Sequence, residues 1–253
     1  MMWYNFKIEW RRYFQEMIHF KFNLFFANTG LIVFFLGLLD YLHVDNKETI
    51  LLLLFVWYFA THGFININFI IEEEIMDGTF VHILESRVSF LNVIFLRSFI
   101  QVVYDLIKAI PVFGCILLIG HFDYSWLTLP SLILIILLIC LSIFTSYCIG
   151  LIIGALTLKF KKLSALPTLL YYFVLFFGGI TYDITSFPPM EFIAYGFPFL
   201  PLRFIIDQLQ LEIVSLPMIF VLIVQAVIYL ILGVVLYRII MKENFKNGRS
   251  FYV

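Results

Sequence analysis

A chain of 253 residues that is 63% hydrophobic and only 13% charged, with a mean hydropathy of +1.02, lies outside the range of water-soluble domains and reads as one polytopic membrane domain, residues 1–253. The formal net charge of −1 says little, because the placement of Lys and Arg along such a chain matters more than their sum. Cys115, Cys140 and Cys148 all fall in apolar runs, which suggests neither a disulfide frame nor a metal site and leaves small buried fillers as the expectation.

Met2 to Lys21 place Trp3, Phe6, Trp10, Phe14 and Met17 at helical spacing, with Lys7, Arg11, Arg12, Gln15 and Glu16 elsewhere on the wheel. This pattern predicts an interfacial helix over residues 1–21, lying among headgroups. No small-residue cleavage site follows the first apolar run, so no removable leader is expected. Six runs are long enough to cross a hydrocarbon core of ~30 Å: Phe22–Leu42, Thr49–Ile71, Asn92–Ile119, Leu127–Leu158, Leu163–Tyr182 and Val214–Met241. The spans occupy residues 22–241, and a basic tail covers 242–253. With the N-terminus inside, all of the 16 Lys and Arg residues except Lys47, Lys108 and Arg203 lie at or near the cytoplasmic side. That bias sets both termini in the cytoplasm, and heavy use of Phe, Ile, Leu, Asn and Lys hints at an AT-rich bacterial genome, so a bacterial cell membrane is expected. The external segment 183–213 is apolar and aromatic but broken by Pro188, Pro189, Pro198 and Pro201. It predicts short helices re-entering the outer leaflet before the last span.

Glu72 to Ser89 is the long polar interruption between two runs too apolar for water. Glu72, Glu73, Glu74 and Asp77 make an acidic turn. Asp77-Gly78-Thr79 offers capping groups and a flexible residue with which to begin a short helix. From there Phe80, Val81, Ile83 and Leu84 fall mostly on one face, and His82, Glu85 and Ser86 on the other. So short a helix needs something to dock against.

This order resembles the ABC-2 type transporter permeases over nearly the whole chain. The features that carry the likeness are the interfacial helix, the six spans, the Glu-x-x-x-x-Gly-Thr turn from Glu73 to Thr79, the proline-rich external segment running on to Arg203 and Asp207, and the basic tail. Arg87 stands where that family usually has proline. The resemblance implies an all-α permease subunit that is not itself an enzyme. It implies a coupling helix made by Gly78, Thr79, Phe80, Val81, His82, Ile83, Leu84, Glu85 and Arg87. It also implies a separate cytosolic ATPase, which holds ATP and Mg²⁺, and a second permease, identical or closely related. The chain carries no Gly-x-x-x-x-Gly-Lys-[Ser/Thr] phosphate loop of its own, and membrane lipid surrounds the bundle; no nucleic-acid partner is expected.

Further candidates lie inside the spans. Gln101, Asp105 and Lys108 share one face of the third, either as a packing pair or as part of a substrate path. Thr61, His62, Gly63, Asn66 and Asn68 form a polar patch on the second, read first as helix–helix hydrogen bonding and second as cavity lining. Gly150-x-x-x-Gly154 permits close helix approach, and Gly178-Gly179 marks a flex point. For the acidic turn, a solvated loop competes with pairing to basic residues of a partner or of the Met2–Lys21 helix. An intramembrane enzyme would need a partner motif that Glu72-Glu73 lacks, and a proton-driven carrier more buried carboxylates than Asp105. Aromatic walls favour an exporter of amphipathic cargo, an antimicrobial peptide, drug or lipid-like molecule, with lipid-linked glycan as the alternative.

Overall fold

The computed structural model describes residues 2–41, 46–80, 89–181 and 188–246. Among these residues there is no strand, and nine helices follow in order. They are α1 (Met2–His19), α2 (Lys21–Tyr41), α3 (Lys47–Met76), α4 (Phe90–Gly120), α5 (Leu129–Phe160), α6 (Ala165–Phe177), α7 (Pro188–Ala194), α8 (Phe199–Gln210) and α9 (Leu216–Lys246). Five of them, α2, α3, α4, α5 and α9, are long and apolar enough to cross a membrane. At 1.5 Å per residue, α4 and α5 reach roughly 45 Å, longer than the hydrocarbon core, and so must tilt or project from it.

The expected span Leu163–Tyr182 takes a different form. Its helix, α6, has only 13 residues, about 20 Å, which is too short to cross alone. The run stays apolar past Phe177, but Gly179 turns left-handed at φ +81° and ends the helix. Backbone freed in this way is tolerated at membrane depth only when it finds partners. The Thr181 hydroxyl donates to the Leu175 carbonyl at 3.0 Å, and the Arg203 guanidinium donates to the Gly179 carbonyl at 2.6 Å. Arg203 thus sits away from the other cations because a broken helix needs a donor there.

The chain divides into two compact units. In the first, α1 and α2 pack on α4. Tyr13 lies 5.7 Å from Tyr104, and Phe35, fully buried, lies 5.5 Å from Phe113. Trp10, Phe14 and Ile18 remain exposed along α1, as an interfacial helix requires. Pro111 interrupts α4 and deprives the Ile107 carbonyl of its usual partner.

The second unit is built around α3, the most buried long helix, with α5 to α9. Glycine makes its central seam possible. A methyl group at Gly150 would overlap the Gly63 carbonyl, and one at Gly154 would meet Ile67 and Ile71 at 2.6 and 2.9 Å, so α3 and α5 touch backbone to backbone. On its other side α5 sends Leu151 toward Gly233 of α9. Hydroxyls in the apolar helices are satisfied locally, Thr145 by the Leu141 carbonyl at 2.8 Å and Ser146 by that of Ser142 at 2.9 Å. Of the three cysteines expected to be buried, only Cys148 is; Cys115 and Cys140 lie on outward helix faces, where an apolar thiol needs no burial in protein if lipid surrounds it.

Candidate functional site

Polar contacts between elements gather at two ends of the second unit. At one end α3 runs out at Met76, and the chain turns through Asp77 and Gly78. The Asp77 N–H donates to the Glu73 carbonyl at 2.9 Å and the Gly78 N–H to that of Ile75 at 3.3 Å. Gly78 has φ +71° with open space where a side chain would be, so glycine is required here by conformation and not by crowding.

The acidic residues of this turn divide by direction. Glu72 and Glu74 are each only 8% exposed. The Glu72 carboxylate accepts the Leu163 N–H at 2.7 Å, pinning the reversal between α5 and α6, where Lys161 stands left-handed at φ 65°. The Glu74 carboxylate accepts the Thr79 hydroxyl, which fastens the residue after the glycine back onto the end of α3. Asp77 is exposed and Glu73 half-buried. Asn68 accepts the Thr157 hydroxyl one turn deeper. The turn is therefore braced from within by α3, and α3 in turn holds the start of α6.

Phe80, which the sequence reading put on the docking face, is fully buried. Exposed around it are Met76, Asp77, Gly78 and Thr79. The remaining expected coupling residues, Val81, His82, Ile83, Leu84, Glu85 and Arg87, lie outside the described residues, as do 182–187 of the external segment and 247–253 of the tail.

The opposite end is closed by a latch that crosses three elements. The Thr49 hydroxyl, at the start of α3, donates to Asp207 of α8 at 2.9 Å. Gln210 donates to Thr49 at 3.3 Å. Arg203 Nε lies 3.6 Å from Asp207, and its other arm holds the Gly179 carbonyl. Ala194 and Leu200 pack with Phe177, Met190, Tyr195 and Phe204, while Gln225 and Tyr229 of α9 donate to the Tyr195 and Gly196 carbonyls. Short helices α7 and α8 thus form a lid of apolar contacts held by polar pins, in the place the proline-rich segment predicts. Nearby, burial and then the Glu48 charge push the Tyr124 phenol up to about 12, so it stays neutral.

In the first unit, Gln101, Asp105 and Lys108 come together as their spacing predicts. Gln101 donates to Asp105 at 3.0 Å, and Lys108 Nζ sits 2.7 Å from the same carboxylate and 4.3 Å from the Tyr104 ring centre. Asp105 is fully buried. In the α3 patch, Thr61 and His62 bond to the Tyr58 carbonyl of their own helix at 2.7 and 2.8 Å, and Asn68 crosses to Thr157 of α5. The latch joins residues 158 apart, and its local signal was the i,i+4 spacing of Arg203 and Asp207.

A family model described as ABC-2 type transporter matches residues 2–211. No curated protein matches the chain. The matched stretch takes in both ends described above and stops at the close of α8.

Proposed function

Since the chain belongs to the ABC-2 type transporter family and is the membrane component of an ABC transporter working with an ABC ATPase subunit, we propose that it is the permease of an ATP-driven exporter. Its cargo is amphipathic, an antimicrobial peptide, drug or lipid-like molecule. ATP and Mg²⁺ are held by the ATPase chains, and two permeases stand side by side in the cytoplasmic membrane of a bacterium with both termini in the cytoplasm.

The observation that supports this reading best is the braced turn after α3. Closure of an ATPase pair pushes on the exposed rim Met76-Asp77-Gly78-Thr79 and on the coupling helix that follows it. Glu74 passes that push to α3 through Thr79, and Glu72 passes it from α3 to the start of α6. Because α3 and α5 touch backbone to backbone at Gly63 and Gly150, they move together. The push then reaches the latch at Thr49, whose release frees α8. Such rigid-body bias between two states needs no fuel site in the permease. Gln101, Asp105 and Lys108 serve as an internal packing pair in the first unit.

Co-purification with an ATPase encoded beside this chain, followed by ATPase stimulation by a panel of peptides, drugs and lipid-linked glycans, tests the reading. Stimulation by cationic or amphipathic peptides is expected. Failure of any ATPase to associate would overturn it, and stimulation by glycans alone would replace the cargo.

A further inference from the structure

At the latch end, a half-open cavity of about 390 Å³ lies between the start of α5 and the α8–α9 connection. That is within the range of roughly 300–1,000 Å³ in which small molecules are held. Trp126, Leu134, Leu209 and Val214 supply apolar wall, Thr128 and Ser131 hydroxyls, and Glu212 a carboxylate. Thr128 and Ser131 are occupied with each other at the cap of α5. The Trp126 indole nitrogen is buried without a hydrogen-bond partner among the described residues, so the ring, and not its N–H, is what the cavity meets. Glu212 pairs with no cation among them, although one uncompensated carboxylate beside an indole is the arrangement that attracts a cation.

The backbone at Glu212 adds a second observation. The Ile213 N–H bonds to the Gln208 carbonyl and the Glu212 N–H to that of Leu209, both at 3.0 Å, which is the pattern that ends a helix with a left-handed residue. That position is ordinarily glycine, and here a glutamate holds φ 60°. A side chain kept where glycine fits without strain points to a use for the side chain.

We propose that this cavity binds a guanidinium or ammonium group carried on an apolar, peptide-like body. Glu212 takes the charge, and the Trp126 ring covers the apolar part. The proposal rests on the exporter reading only for calling the ligand cargo; the binding itself stands apart from ATP.

The test uses the full chain purified in a non-ionic maltoside detergent, without ATPase or nucleotide. Anisotropy of Nα-dansyl-arginine amide is compared with that of its neutral isostere Nα-dansyl-citrulline amide. The arginine probe should bind at least tenfold tighter. Glu212→Gln should abolish that preference while leaving citrulline binding unchanged. Glu212→Gly should do the same without lowering the thermal midpoint, since glycine suits the turn, so a folding defect cannot mimic the result. Equal binding of the two probes, or an arginine preference that survives Glu212→Gln, would overturn the proposal. A chain that shows the preference but yields no ATP-driven export in its complex would count against the exporter reading and leave the cavity assignment standing.

Discussion

Replacing Thr79 with valine keeps its shape and removes the hydroxyl that closes the turn onto Glu74. A hydrogen bond to a charged acceptor contributes ~1.5–3 kcal/mol, and because Thr79 is exposed the lower end applies, about 1.5 kcal/mol. The single variants T79V and E74A each disturb other contacts, so the measured quantity is the coupling between them in a double-mutant cycle. Reversible unfolding of the full chain in mixed detergent micelles, followed by circular dichroism, should return a coupling of about 1.5 kcal/mol, close to tenfold in an equilibrium constant. In the assembled transporter, T79V should lower cargo-stimulated ATP hydrolysis several-fold while the ATPase still co-purifies. Effects additive to within about 0.3 kcal/mol would mean that Thr79 and Glu74 do not act as a unit, and the braced-turn reasoning would fail.

Three other outcomes follow from the same geometry. Gly150→Ala forces α3 and α5 apart and should cost about 1–3 kcal/mol by overpacking, visible as a lower unfolding midpoint than for Gly37→Ala, where a methyl group meets nothing. At the latch, Asp207→Ala should release α8, read as faster proteolysis or labelling between α7 and α9, whereas Asp207→Asn, which still accepts from Thr49, should lose about half as much. Asp105→Ala leaves Lys108 without its carboxylate and should destabilise by roughly 3–5 kcal/mol; the double variant Asp105→Leu/Lys108→Met should recover most of this and keep transport, a result that a pathway role would not allow.

The long helices were legible because their apolar runs are continuous, and α3, α4, α5 and α9 begin and end within a few residues of the expected bounds. The shortened α6 was legible only in part: Gly178-Gly179 marked a flex point, but hydropathy did not show that the helix ends there, because the residues beyond the left-handed Gly179 are just as greasy. The spacing Gly150-x-x-x-Gly154 announced a close approach but could not name Gly63 as the surface it meets. The turn at Asp77-Gly78 was visible, but Glu72, Glu73 and Glu74, expected in it, continue α3 to Met76, and the inward placement of Glu72 depends on the Leu163 N–H, 91 residues away. The burial of Phe80 had no signal in the sequence either, because periodicity assigns a residue to a face without saying what covers it. The Trp126–Glu212 cavity left no local trace, because its walls come from segments far apart in sequence.

The account depends most on the turn after α3 facing the ATPase in the cytosol. A cysteine at exposed Asp77, in a chain with Cys115, Cys140 and Cys148 replaced by serine or alanine, can be probed with a membrane-impermeant maleimide. Labelling should occur only after the cells are opened, and should be blocked when the ATPase is bound. Labelling of Asp77→Cys in intact cells would place the turn outside and contradict the account.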